Sequence, residues 1–229
     1  FSKWLDTSSD TSTGQFQDNS EPGKGAIDIG CLRCERARSL FDIPHRFSAA
    51  FVSTPRLVSD HANNWSRRLL NGWEFSGIAT MQSGRPFSVW NGASAAAGGD
   101  YNRDAGGGAV GGGFYDRPNA PAPGAIGSAF SQQDFLVGLF PASAFPRPSP
   151  GQNGTLGRNT FRGPHYVTFD FALGRSISIT ETKRLQLRLE AFNALNNVNL
   201  YLPNADLSSA LPIRDASPRP CRRTRWCGR

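Results

Sequence analysis

The chain has 229 residues, of which 38% are apolar and 19% charged, with 25 glycines and 16 prolines and a mean hydropathy of −0.41. That is a lean composition for a well-cored globule; with no run of eighteen apolar residues it excludes a helical membrane protein, but not a barrel, whose strands alternate and so have moderate hydropathy. The net charge of +7 is uneven: residues 212–229 carry +5 and leave +2 for the rest, so the basic balance says little about the body and no nucleic-acid partner is expected.

The chain starts mid-pattern at Phe1-Ser2-Lys3-Trp4-Leu5, with no Met and no leader peptide, and reads as part of a longer protein. Phe1–Leu5 looks like a strand end. Residues 6–42, rich in Ser, Thr, Asp, Gly and Gln, read as a long polar loop. Within it, Cys31 and Cys34 form a CxxC, while Cys221 and Cys227 lie in the basic tail at spacing that does not match a second zinc knuckle. A zinc site is disfavoured, and a loop disulfide and two incidental thiols both stay open.

Residues 45–54 alternate, with Phe47, Ala49, Phe51 and Ser53 against Arg46, Ser48, Ala50 and Val52, and Pro55 ends the run. A polar connection, 56–72, contains Arg67 and Arg68. Residues 73–83 alternate again, Trp73, Phe75, Gly77, Ala79 and Met81 against Glu74, Ser76, Ile78, Thr80 and Gln82; Pro86–Trp90 is a candidate extension beyond Gly84. Residues 91–163 form a very long Gly- and Pro-rich segment of the kind that is either functional or disordered.

The longest alternation runs from His165 to Ile179. Val167, Phe169, Phe171, Leu173, Ile177 and Ile179 form an apolar row that only Arg175 interrupts, and the even positions are mostly small or polar. After Glu181-Thr182-Lys183 the pattern restarts with Leu185, Leu187, Leu189 and Ala191 against Gln186, Arg188 and Glu190, which predicts a β-hairpin with one apolar and one wet face. A first strand of about fifteen residues is far beyond the ~5–6 of a soluble strand. It suits a membrane-spanning barrel, apolar outside and polar inside. The connections also alternate, long at 6–42 and 91–163, shorter at 56–72 and 181–183, as in an outer-membrane barrel with long loops on one side only. The expected fold is therefore all-β: part of an antiparallel transmembrane β-barrel, open because four or five strands are too few to close, with long irregular loops. The domain boundaries are 1–211 for the partial barrel and 212–229 for a basic, disordered tail; the loops are expected to be poorly ordered.

Several stretches carry a resemblance. Phe41-Asp42-Ile43-Pro44-His45-Arg46-Phe47, Asn71-Gly72-Trp73-Glu74-Phe75-Ser76-Gly77-Ile78, Gln82-Ser83-Gly84-Arg85-Pro86-Phe87, Asp116-Arg117-Pro118-Asn119, Gly157-Arg158-Asn159, Arg162-Gly163-Pro164, Phe169-Asp170 and Arg188-Leu189-Glu190-Ala191-Phe192-Asn193 follow one another in the order and spacing of a known group. Over roughly residues 1–204 the chain resembles the C-terminal barrel of TonB-dependent outer-membrane receptors, nearest the Oar-like receptors that carry a carboxypeptidase-regulatory-like N-terminal domain. The resemblance implies an outer-membrane location in a Gram-negative-type bacterium and contact with outer-membrane lipid. It implies a plug domain and the TonB energy-coupling complex as partners of the full-length protein, and uptake of a large ligand of unresolved class. The plug and coupling motif are absent from these residues, and Pro212–Arg229 departs from the aromatic-ended last strand of the group.

Asp100, Asn102 and Asp104 are spaced like the start of a calcium loop, but Ala105 and Gly111 replace the Gly and Glu that the loop needs, so a polar turn is favoured. The glycines of 98–113 lack a phosphate-loop lysine. His45, His61 and His165 are scattered, and no nucleophile–base pair is apparent, so no cofactor and no enzymatic activity are expected. Asp170, Arg188 and Glu190 fall on the wet face of the hairpin and are assigned to the lumen, where they either meet substrate or brace the wall. Trp73, Trp90 and Tyr166, near strand ends, are candidates for an aromatic girdle. The competing reading is a β-sandwich that binds surfaces or carbohydrate without transport.

Overall fold

The computed structural model describes residues 3–7, 9, 31–59, 63–91, 99–103, 116–127, 130–180, 182–208 and 214–215. In chain order its strands are β1 Leu5–Asp6, β2 Ala37–Arg38, β3 Arg46–Ser53, β4 Trp73–Gln82, β5 Pro86–Phe87, β6 Phe161–Arg162, β7 Tyr166–Ser178, β8 Arg184–Ala191, β9 Pro203–Asn204 and β10 Arg214–Asp215; the helices are α1 Asn64–Leu70 and α2 Gln132–Val137. These divide into a sheet unit, His45–Ser83 with His165–Asn199, and a loop unit, Phe1–Pro44 with Gly84–Pro164 and Leu200–Arg229.

The sheet unit is one open antiparallel sheet in the order β3-β4-β7-β8. All four long strands lie within a few residues of the sequence expectation, and no helix falls in the hairpin. Alternation of aromatic and branched residues with small polar ones suits a pleated surface, and the register keeps the parity intact. Phe51 pairs with Gly77 and Gly77 with Phe171; Phe75 pairs with Leu173 and Leu173 with Leu189. Every odd residue therefore shares one face across four strands and every even residue the other. Phe51 stacks on Phe169 with ring centroids 6.5 Å apart, and Phe75 tilts against Phe171 at 6.3 Å. Gly77 is required here, since a Cβ on it would lie 2.6 Å from the Phe51 ring.

None of the described residues of the sheet unit covers the odd face: Phe47 is 58% exposed and Leu189 64%. A sheet in water would hide such a surface, since apolar patches of this extent on soluble proteins mark contact with something else. At one end, Arg46, Gln82 and Tyr166 lie in one row, and the chain enters or leaves the unit near 45, 83, 165 and 199. His45 and Ser83 extend the pairing there through 2.9 and 3.0 Å bonds. At the other end are the β7–β8 turn and the 54–72 connection, which Asn71 braces by accepting from the N–H groups of Leu57 and Val58 and donating to the Val58 carbonyl, all at 3.0 Å. Gly72 enters β4 at φ 86°, a conformation that favours glycine.

The described residues of the loop unit depart from the expectation of poorly ordered loops. They build a core of Phe87, Val89, Trp90, Phe140, Phe145, Leu156, Leu202 and Ala205. Phe140 meets Phe145 edge-on at 5.6 Å and Phe161 at 4.8 Å. Two-residue strand pairs, β1 with β2 and β5 with β6, stitch distant parts of the chain together, and β9 pairs with the nearby β10. Pro86–Trp90 does not extend β4: Pro86 and Phe87 form β5, which pairs with β6. Arg214–Asp215, placed in the sequence in a strandless tail, pairs with β9; residues 216–229 lie outside the described residues. α2 starts at a capping box in which Ser131 and Asp134 satisfy each other's backbone N–H groups.

Candidate functional site

The even face of the sheet unit is the wet one. Glu74, Gly174 and Arg188 form one cross-strand row, and Ser76, Ala172 and Glu190 the next. Arg188 and Glu190, two residues apart on β8, point the same way and pair at 2.6 Å, 61% and 40% exposed. A surface pair this open contributes little to stability. Asp170 shares the face but is drawn elsewhere: it accepts from the Asn193 N–H at 2.8 Å and so anchors the turn that ends β8. The face is not uniformly polar, since Val52 and Ile78 also stand on it, Ile78 directly opposite Asp170. Toward the short-connection end lies an open cavity of about 710 Å³, walled by Glu74, Gln186 and Arg188 from the strands and by Arg56 and Asn71 from the connection. This surface offers hydrogen bonds and charge to a polar solute.

In the loop unit the sequence motifs have a structural role that spacing did not reveal. Glu35, fully buried, accepts two bonds from Arg117, whose Nε donates to the Leu156 carbonyl at 3.0 Å. Arg158, also buried, donates to the Glu35 carbonyl, to Ser9 and to the Asp6 carbonyl, and pairs with the Asp6 carboxylate. Arg162 spans the Asp42 carbonyl, the Asp42 carboxylate and the Gly84 carbonyl. Asn159 closes the set, donating to the Arg38 carbonyl and exchanging bonds with Ser88. Each planar guanidinium fork thus ties the 31–44 stretch to residues more than eighty positions away, work for which Lys is a poor substitute. Burial pushes the Asp6 carboxyl up, but bonds from Arg158, Ser39 and Ser9 outweigh it and hold it below the ordinary carboxylate range. Asp42 is held low in the same way, with the Trp4 N–H and Arg162 overcoming burial.

Cys31 and Cys34 are joined in a disulfide immediately before Glu35, the first of the two alternatives the sequence left open. Of the calcium candidates, Asp104 lies outside the described residues. Asn102 donates its amide to Asn153 at 2.6 Å, and the Asp116 carboxylate accepts from the backbone N–H groups of Tyr101 and Asn102. Among the described residues no group of three or more acidic, His or Cys side chains is gathered for a metal. His45 and His165 lie near the same end of the sheet; His61 is outside the described residues.

In comparison with known families, residues 1–220 match a model described as an outer membrane beta barrel domain. The chain belongs to the outer membrane β-barrel domain family. Its place is the outer membrane, and its open antiparallel sheet is part of an all-β barrel architecture. No curated protein and no solved structure matches it. With the membrane established, the aromatic candidates separate. Trp73 is at a strand end on the odd face, where the Arg175 guanidinium lies 5.0 Å from its ring centroid. Tyr166 is at the opposite end, on the even face. Trp90 is no girdle residue: it is buried in the loop-unit core, because the chain has left the sheet seven residues earlier. No helix among the described residues is long and apolar enough to cross a membrane, which bears only on helical spans.

Proposed function

We propose that this barrel is the outer-membrane pore of a TonB-dependent receptor of the Oar-like group, importing a ligand too large for simple porins, and that it has no catalytic activity of its own. The observation that carries the reading is the one-ended arrangement of the sheet unit. Every long segment joins it at the Arg46–Gln82–Tyr166 end, and only the 54–72 connection and the tight β7–β8 turn lie at the other. Long segments on one side supply recognition, a polar inner face supplies a route through lipid that an open backbone cannot provide, and short connections face the periplasm. Outer-membrane lipid surrounds the wall. The plug and the energy-coupling complex belong to the full-length protein, and the ligand class (siderophore, carbohydrate or peptide) is open. Asp170, Arg188 and Glu190 then line the passage.

The test is deletion of the gene followed by uptake measurements on large ligands of those three classes, with and without a functional energy-coupling complex. Loss of coupled uptake of one ligand is the expected result. A second reading, surface binding or adhesion without transport, is favoured by one observation: the loop unit has its own core and three buried or half-buried arginine–carboxylate ties, so it would present a rigid outer surface. Unchanged uptake of every ligand together with an adhesion defect would select it.

A further inference from the structure

Of all the odd-numbered positions in the four long strands, a single one is charged: Arg175 on β7. Its neighbours in the row are Trp73 on β4 and Leu187 on β8, and its guanidinium rests over the Trp73 indole. An arginine on a lipid-facing wall is costly at the bilayer midplane and nearly free at headgroup depth. Trp73 has the amphipathic ring that favours the same depth. The spacing agrees. From Val167 to Ile177, where the apolar face ends against Leu185, the strand advances ~34 Å at ~3.4 Å per residue, or ~26 Å of height at a tilt of ~40°, close to the ~25 Å apolar band of outer-membrane barrels. The Arg175 row lies one row, ~5 Å in height, inside one edge of that band, on the side of the short connections, and the long arginine stem reaches from there to headgroup depth.

The adjoining connection has the same character. Of its described side chains Arg56 is cationic, and Leu57, Trp65 and Leu70 are exposed, Trp65 at 78%. A cation among apolar and indole side chains suits a phospholipid surface and is poorly suited to bulk water.

The geometry points to a lipid-headgroup site: Arg175, held in place by Trp73, binds the phosphate of a phospholipid in the leaflet on the short-connection side, and so sets the depth of the barrel wall. The guanidinium fork matches phosphate oxygens, and Leu187 beside it gives the lipid's glycerol and first methylenes an apolar wall. The inference rests on the outer-membrane family alone, and stands or falls independently of transport.

The test uses the full-length protein in maltoside micelles, which contain no phosphate, titrated with phosphatidylglycerol while the midpoint of heat unfolding is followed by the shift in gel mobility. Wild type is expected to rise with added lipid, Arg175→Leu to lose at least half of that rise, and Arg175→Lys to keep most of it. An undiminished rise in Arg175→Leu overturns the proposal. So does an equal rise with inorganic phosphate that Arg175→Leu abolishes, because the ligand is then a free anion. Should Arg175→Leu fail to assemble, Arg175→Gln takes its place with the same two outcomes. Independently, the quenching lost on Trp73→Phe in vesicles of bromine-labelled lipid should be greatest with bromine near the headgroup. A maximum with bromine near the chain end overturns the assignment.

Discussion

Replacing Phe169 by arginine tests which face of the sheet meets lipid. Phe169 and Arg175 are six positions apart on β7. That is ~20 Å along the strand and ~15 Å in height at a tilt of ~40°, which places Phe169 inside the hydrocarbon, ~5 Å in height from the Val167 row at its far side. A cation costs about 2–4 kcal/mol at the midplane and less toward either edge, so ~2 kcal/mol is expected here. Loss of the stack with Phe51, at 6.5 Å, adds ~0.5–1.5 kcal/mol. The neighbouring change Thr168→Arg puts the same charge on the even face, opposite Thr80, where water and polar groups surround it and the expected cost is under ~1 kcal/mol. Reversible urea unfolding in lipid vesicles should therefore separate the two variants by at least about 1.5 kcal/mol, or more than about tenfold in the folding constant. Equal tolerance, or a more damaging Thr168→Arg, would reverse the assignment of faces and with it the lumen placement of Asp170, Arg188 and Glu190.

Three further outcomes are expected in the loop unit. Glu35→Ala leaves Arg117 buried beside an empty site, and breaking such a pair costs about 3–5 kcal/mol; protease cutting of the loop unit should accelerate sharply, and an unchanged rate would show that the pair is dispensable. Asp6 and Asp42 titrate below the ordinary carboxylate value when folded, so the unfolded chain takes up protons first; their contribution is complete above about pH 4 and declines as pH falls through the lowered values. Acid unfolding of the loop unit should shift to higher pH when Arg158 or Arg162 is replaced by Gln, and identical acid profiles would refute the assignment. A Cβ on Gly84 would lie 1.8 Å from the Gly163 carbonyl oxygen, whereas one on Gly157 meets only the Thr160 hydroxyl at 3.3 Å. Gly84→Ala is expected to destabilise by more than ~1 kcal/mol and Gly157→Ala by less, as read by thermal unfolding.

The long strands were legible in the sequence because a strand's side-chain period is a local property: parity along β3, β4, β7 and β8 reports which residues share a face whatever lies beside them. The hairpin, the antiparallel order and the one-sided distribution of long segments followed from the same signal. Arg175 was visible as an interruption but not as a partner of Trp73, since that contact depends on the register between β4, which ends at Gln82, and β7, which begins only at Tyr166. The loop unit was illegible for a related reason. Its core residues, among them Val89, Trp90, Phe140 and Leu202, follow no period, and Glu35, Arg117 and Arg158 look in sequence like ordinary surface charges. What makes them a unit is long-range closure, in which buried guanidinium groups and carboxylates are acceptable only because each finds its partner from a distant segment. The sequence by itself determined which residues share a face of the sheet; only the tertiary structure decided that the described segments between the strands fold, because periodicity is written locally and compensation of buried charge is not.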